Sequence, residues 1–339
     1  MYEIRWLTGL CALLLCYVFY GFALPSKHLK LDELVAASDV IAVVDVGEVQ
    51  QVGTVVTTIE SKDVKVSLYE ADLHLGRAIK GQCPDEFSVG FYVPMEFMGY
   101  LGLETGPQLI FLKSIEGRLG FTDPHFPSFP AVAGSQARPE PSDSLDAVIG
   151  EMGSVLASPQ NSSEDKLRIL QLAYAVPNRP SFISALRAGL HATDDEDLRY
   201  RLEAHLLMRN DLTNLPSLTQ SLFENALTDH EKDMLLSVIG TKIEDPRALP
   251  SVKHLLQSSD IPLRRAAAQA LWRIADKSSQ SAMIAVLNDP DSQVRFYAVR
   301  GLAETTGQRE WGPANGLFEQ DEEKYLRHWR TWGAAKTQR

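Results

Sequence analysis

The chain has 339 residues, 45% hydrophobic and 23% charged, with a formal net charge of −11. This is ordinary globular composition, long enough for two domains, and it excludes a fibrous or largely disordered chain. The acidity lies in front: residues 1–150 hold ten Lys/Arg against nineteen Asp/Glu, which argues against polyanion binding there.

Residues 1–23 read as a signal peptide. Trp6–Ala23 is apolar apart from Thr8 and a few glycines and tyrosines, and Gly21-Phe22-Ala23 sets small residues at −3 and −1 before Leu24-Pro25. Removal of this segment predicts an exported protein of the periplasm, cell envelope or medium. The competing reading is an uncleaved signal anchor, because the apolar run is just long enough to span a bilayer. Membrane association follows only in that case. Neither Cys11 nor Cys16 follows a small residue, as a lipoprotein site needs, and cleavage leaves Cys83 without a disulfide partner.

Residues 24–121 predict a small β domain. Leu31, Leu34 and Val35 give Lys30–Ser38 helical spacing. Val- and Ile-rich Asp39–Val49 reads as a buried strand, followed by strands at Val52–Ile59 and Val64–Leu75 with a hairpin turn at Glu60–Asp63. Phe87–Val93, Leu109–Leu112 and Leu119–Phe121 complete six short strands, a pattern that predicts an antiparallel barrel or sandwich. The run Ser-Asp-Val-Ile-Ala-Val-Val-Asp-Val-Gly-Glu-Val, then Ile-Lys-Gly, then Gly-Pro-Gln-Leu-Ile-Phe-Leu, resembles the OB-like barrels of the netrin/tissue-inhibitor type. The chain lacks the disulfides of those modules and their N-terminal cysteine, so the resemblance implies a fold and no inhibitory function.

Residues 122–146 are Pro-rich, with Pro124, Pro127, Pro130, Pro139 and Pro141, and read as a linker or a strap over a domain surface. Phe126 and Phe129 favour the strap for its first part.

Residues 147–310 predict an α-solenoid. Pro262–Ile274 (PLRRAAAQALWRI) returns as Gln293–Thr305 (QVRFYAVRGLAET), with Leu263/Val294, Arg264/Arg295, Ala267/Ala298 and Leu271/Leu302 each 31 positions apart. Each copy follows a shorter apolar helix, Leu249–Gln257 or Gln280–Leu287. Weaker copies start near Leu167, Leu198 and Glu231, the last without the Leu-Arg pair. A helix pair recurring every ~30–45 residues marks a solenoid. These copies resemble short HEAT-like repeats, whose unit reads Asp, then Val/Leu-Arg, then an Ala-rich helix ending Ala-Leu, and Asp245–Pro250 matches their inter-helix turn. The resemblance implies helix pairs stacked around a protein-binding surface. Within residues 311–339, Asp321–Ala335 forms a last helix with Tyr325, Trp329 and Trp332 on one face, the form of a capping element. The predicted class is thus α+β, an OB-like antiparallel β-barrel followed by HEAT-like helix pairs.

No catalytic chemistry emerges. The sequence has no HExxH, CxxC, GxSxG, P-loop or dinucleotide fingerprint, and its eight histidines occur singly. No cofactor or metal is expected. Asp194–Asp197 reads as a helix cap, with a weak calcium site as the alternative. From Arg247 to Arg309 nine Lys/Arg face five Asp/Glu, too even for a nucleic-acid stripe, so one arginine per repeat reads as an Asp/Arg ladder between stacked units. The expectation is a non-enzymatic binding or scaffold protein that takes a protein or peptide on the concave face, with Lys253, His254 and Gln257 of the shorter helices as the candidate lining. The spacing alone does not assign which helix row faces the ligand. Alternatives are an accessory role to an enzyme, as in the phycobilin lyases that carry similar repeats, and an envelope-structural role.

Overall fold

A computed structural model describes residues 29–59, 62–94, 103–115, 117–123, 128–133, 143–173 and 176–337. The export-signal reading and much of the Pro-rich segment lie outside the described residues. The chain forms two compact units, one ending at Thr193 and one beginning at Asp194.

In the first unit α1 (Leu31–Ala37) buries Leu31, Leu34 and Val35, the three positions its spacing selects. β1 (Val40–Ile59) and β2 (Lys62–Lys80) follow as one long antiparallel hairpin. The strands expected at Asp39–Val49 and Val52–Ile59 are one strand. Gln50-Gln51 offers no turn residue, and register shifts at Val46/Val49 and Gln51/Gly53 absorb the irregularity as bulges. The chain turns at Gly81, whose φ of 70° only glycine adopts readily and where a Cβ would lie 2.2 Å from the Asp39 carbonyl oxygen.

β3 (Glu86–Pro94), β4 (Gly106–Ile115), β5 (Arg118–Phe121) and β6 (Ser128–Pro130) complete a six-stranded antiparallel sheet of order β3-β2-β1-β4-β5, with β6 paired to β4. The start of the Pro-rich segment is therefore a strand: Phe129 is buried and packs edge to face on Phe111 at 5.2 Å. Barrel closure needs β3 to pair with β5. Among the described residues no backbone pairing joins them, and they meet through Phe91 and Phe121, 5.9 Å apart. Val44, Leu73, Phe91 and Ile110 belong to one hydrophobic cluster, and Ile41 and Phe111 are equally buried, so β1 and β4 carry continuous apolar runs.

Three helices complete this unit: α2 (Ser144–Ala157), α3 (Ser163–Ala173) and α4 (Pro180–Ala192). α2 packs on β2 and α3 on β6, and Arg77 of β2 pairs with the buried Glu151 of α2. The contact boundary therefore falls within the stretch expected to form repeats. In α3, Leu167 is only half-buried while Lys166 and Arg168 are buried, and Arg168 pairs with Glu104. Leu167 does not hold the buried place that Leu198, Leu263 and Val294 hold; α3 turns Lys166, Arg168, Ile169 and Leu170 inward, packing on α2 and β6.

The second unit is helical. Longer helices α5 (Glu196–Met208), α7 (Asp229–Lys242), α9 (Ile261–Ile274) and α11 (Ser292–Thr306) stack as consecutive neighbours. Shorter helices α6 (Leu215–Phe223), α8 (Leu249–Leu255) and α10 (Gln280–Ala285) alternate with them. α12 (Asn315–Gln320) and α13 (Glu322–Thr337) end the chain. One hydrophobic cluster runs from Tyr200 to Trp329, the continuous core that stacked helix pairs produce.

Aspartates open the elements. Asp245 and Asp276 cap 3-10 turns before α8 and α10, and Asp195 and Asp291 cap α5 and α11. Asp197 pairs with Arg201 at 2.8 Å, so these members of the acidic cluster serve helix capping and helix-face pairing. α13 keeps the 31-residue register, with Glu322 and Tyr325 following Asp291 and Val294 at that spacing. It closes the stack: Tyr325, Leu326 and Trp329 are buried, and Trp332 packs on the cluster half-exposed.

Candidate functional site

From α7 onward the repeated cation at the start of each longer helix ties one repeat to the next, whereas the equivalent Arg199 of α5 pairs with Glu196 of its own helix. Lys232 pairs with Asp260, Arg264 with Asp289 and Arg295 with Glu322, each reaching the next repeat's turn or first helical turn. Lys232 thus occupies the arginine position in the copy that lacks the Leu-Arg pair. Arg265 adds a parallel two-bond contact to Asp291, at 3.0 and 2.7 Å. The hydrogen bond from Arg265 is the main reason the Asp291 carboxyl titrates below the ordinary carboxylate range. These arginines are engaged by carboxylates.

The residues expected to meet a partner, Lys253, His254 and Gln257, lie around α8. Gln257 is exposed, but Lys253 and His254 are half-buried, not exposed as their spacing suggests. Lys253 Nζ donates to the Ser278 carbonyl at 2.9 Å, tying α8 to the following turn. His254 stacks on Phe223 of α6, centroids 4.5 Å apart, where neighbouring short helices pack. Two of the three therefore join repeats together.

A different cluster lies on the longer-helix row. Trp272 of α9 is half-exposed, lies outside the hydrophobic cluster, and stacks on Tyr297 of α11 at 5.8 Å. The Arg300 guanidinium lies 4.7 Å from the Trp272 ring centre, a cation–π distance. Arg300 Nη1 is held in place by donating to the carbonyls of Gly312 and Pro313, both at 3.1 Å. Gln293 donates to the Tyr297 hydroxyl at 3.3 Å. Gly301 lets α11 approach α9 closely, because a Cβ there would meet the Trp272 Cα at 3.2 Å and Met283 Sδ at 2.2 Å.

This cluster has the chemistry of a protein-binding patch. Trp, Tyr and Arg are the residues that dominate interface energetics, and held rings lose little entropy when covered. Sequence reasoning missed it because Trp272 reads as one more apolar residue of an Ala-rich helix. The available signal was its position, one past the core residue Leu271.

A second groove runs along α13, lined by Trp311, Lys324, Arg327, His328 and Trp332. His328 is half-buried, lies flat on Trp311 at 3.8 Å and meets Trp329 edge to face at 4.8 Å. It shares a hydrogen bond with Gln308, Nε2 to Oε1, at 3.2 Å. Burial lowers its pKa. Among the described residues no group of three or more His, Cys, Asp or Glu side chains is arranged to hold a metal, and no helix is long and apolar enough to cross a membrane.

No curated protein matches this chain. Repeats stacked in this way generally mediate protein interactions, which makes a protein the kind of partner this part of the chain is suited to. Residues 248–335, spanning α8 to α13, match the family model for HEAT repeats, so the C-terminal half carries HEAT-like repeats.

Proposed function

We propose that the chain is an exported, non-enzymatic binding or scaffold protein that holds a protein or peptide partner on the longer-helix row around Trp272. The observation that carries this reading is a half-exposed tryptophan left outside the core, stacked on Tyr297 and in cation–π contact with Arg300. A ring so placed adds little to the fold and offers a rigid apolar anchor to a partner. Export rests on the apolar run Trp6–Ala23 with its Gly-Phe-Ala ending.

Crosslinking and capture in the exported fraction of the native host test both parts. Intact mass of the recovered protein should correspond to a chain starting at Leu24. Proteins captured by the wild type should be lost with Trp272→Ala and retained with Gln257→Ala. Capture that survives Trp272→Ala and fails with Gln257→Ala moves the site to the shorter helices.

A further inference from the structure

We infer that two copies of this chain join through the outer edge of β1, strand against antiparallel strand. β4 pairs with β1 only from Val40 to Val46. Beyond that point, to Ile59, β1 has β2 on one side and, among the described residues, no strand on the other. The backbone donors and acceptors of that side face outward over Val49–Ile59, about 35 Å of strand at ~3.3 Å per residue.

Soluble proteins guard such edges with lysine, proline or inward-pointing charge. The open edge begins at Gly47-Glu48 and then reads VQQVGTVVTTI from Val49 to Ile59, a run with no charge, no proline and mostly β-branched residues. The strand behind it is different, since β2 carries Lys62, Asp63 and Lys65 over the same length. Neutrality is thus a property of that run. Among the described residues up to Thr193, the exposed large apolar side chains are Val52, at 40% exposure, and Val56, at 63%. Both lie on this edge, and the bulge at Gln51/Gly53 leaves Val52 out of register with β2.

The occupant these features fit is the same edge of a second copy. Antiparallel pairing about a two-fold axis at Thr54 sets Val52 of each copy opposite Val56 of the other. Every other pair across the seam is neutral, Gln50 with Thr58 for example. The surface is self-complementary, as a two-fold interface requires. A net charge of −11 makes two copies repel over much of their surface, whereas pairs within Val49–Ile59 oppose no like charges and Glu48 falls opposite Glu60 only at the two ends of the seam. A charged peptide would find no opposite charge here.

The test is sedimentation velocity on the full chain across a concentration series, under reducing conditions so that Cys83 cannot crosslink. The wild type should show a concentration-dependent dimer. The double variant Val52→Lys/Val56→Lys should raise the dimer Kd by about tenfold or more while leaving the melting profile of dilute protein unchanged, because both side chains are exposed. In a background with Cys11, Cys16 and Cys83 all changed to serine, Thr54→Cys should form a disulfide-linked dimer on mild oxidation. A wild type that stays monomeric at every concentration overturns the inference, as does a dimer that the double lysine variant leaves intact. Loss of partner capture by Trp272→Ala with the dimer unaffected would separate the two surfaces.

Discussion

Arg264 reaches out of its own repeat and forks onto Asp289 of the next, Nε to Oδ2 at 2.7 Å and Nη2 to Oδ1 at 3.1 Å. Its remaining nitrogen, Nη1, donates to the carbonyls of Ser258 and Ser259 at 3.0 and 2.9 Å. One guanidinium therefore joins two turns, and the Asp289 hydrogen bond holds its pKa above the ordinary arginine value. Arg265 makes a similar-looking pair with Asp291 beside it, but its side chain is 49% exposed against 10% for Arg264.

Burial separates the two pairs energetically. Asp289→Ala strands a buried guanidinium and should destabilise the second unit by about 3 kcal/mol or more. Arg265→Ala removes the half-exposed partner of a largely buried Asp291 that keeps its backbone donors from Gln293 and Val294, and should cost less, about 1 kcal/mol. Urea titrations of both variants compare them. Equal losses would mean that exposure does not set the strength of these links.

His205, buried on α5, is held down at about pKa 3, first by burial and then by the charges of Arg209 and Arg201. The native imidazole is neutral between pH 6.5 and 3, whereas the unfolded one takes up a proton below about 6.5. Stability from this group is complete above pH 6.5 and is lost as pH falls toward 3, at up to about 1.4 kcal/mol per pH unit. The lowered carboxyls of Asp143, Asp276 and Asp291 add to the loss only below about pH 4. Denaturation midpoints at pH 7 and pH 5 should diverge in the wild type and diverge less in His205→Gln. The remainder comes from His328, whose pKa burial also lowers, and is opposed at the acid end by Glu203, whose pKa burial raises. A variant with the wild-type slope would assign the pH dependence elsewhere.

Trp329 is fully buried and donates its indole N–H to the Trp311 carbonyl at 3.0 Å. It stands 31 residues after Ala298, itself 31 after Ala267. Where internal repeats need alanine to admit a neighbour, the last one fills the same place with an indole. Trp329→Ala should cost about 3 kcal/mol or more, and ending the chain at Gln308 should lower the melting temperature and cause aggregation. Scanning calorimetry with light scattering checks both. Parent-like melting of both proteins would make α13 a detachable tail.

Residues 194–339 contain a continuous core from Tyr200 to Trp329. Expressed alone, they should give a helical circular dichroism spectrum and a cooperative melt. A fragment beginning at residue 147 adds most of α2 together with α3 and α4, without the strands that α2 and α3 pack on, and should gain helix content without a matching gain in melting temperature. If the longer fragment melts markedly higher, those helices belong with the repeats.

The sequence by itself determined what repeats locally. Alternation at Phe87, Val89, Phe91 and Val93 marked a strand, and the 31-residue spacing of Leu263 and Val294 marked equivalent buried positions, because side-chain period and burial are set over a few neighbouring residues. It also implied an Asp/Arg ladder, since acid and base recur at constant offsets. Tertiary structure alone decided which acid each base meets: Arg264 bypasses Asp260 in its own turn for Asp289. It decided that Leu167 is not a core position, that Lys253 and His254 join repeats, and that Trp272, Tyr297 and Arg300 converge. Those outcomes depend on how helices cross and which strand ends first, and spacing along a chain carries no record of distances between elements.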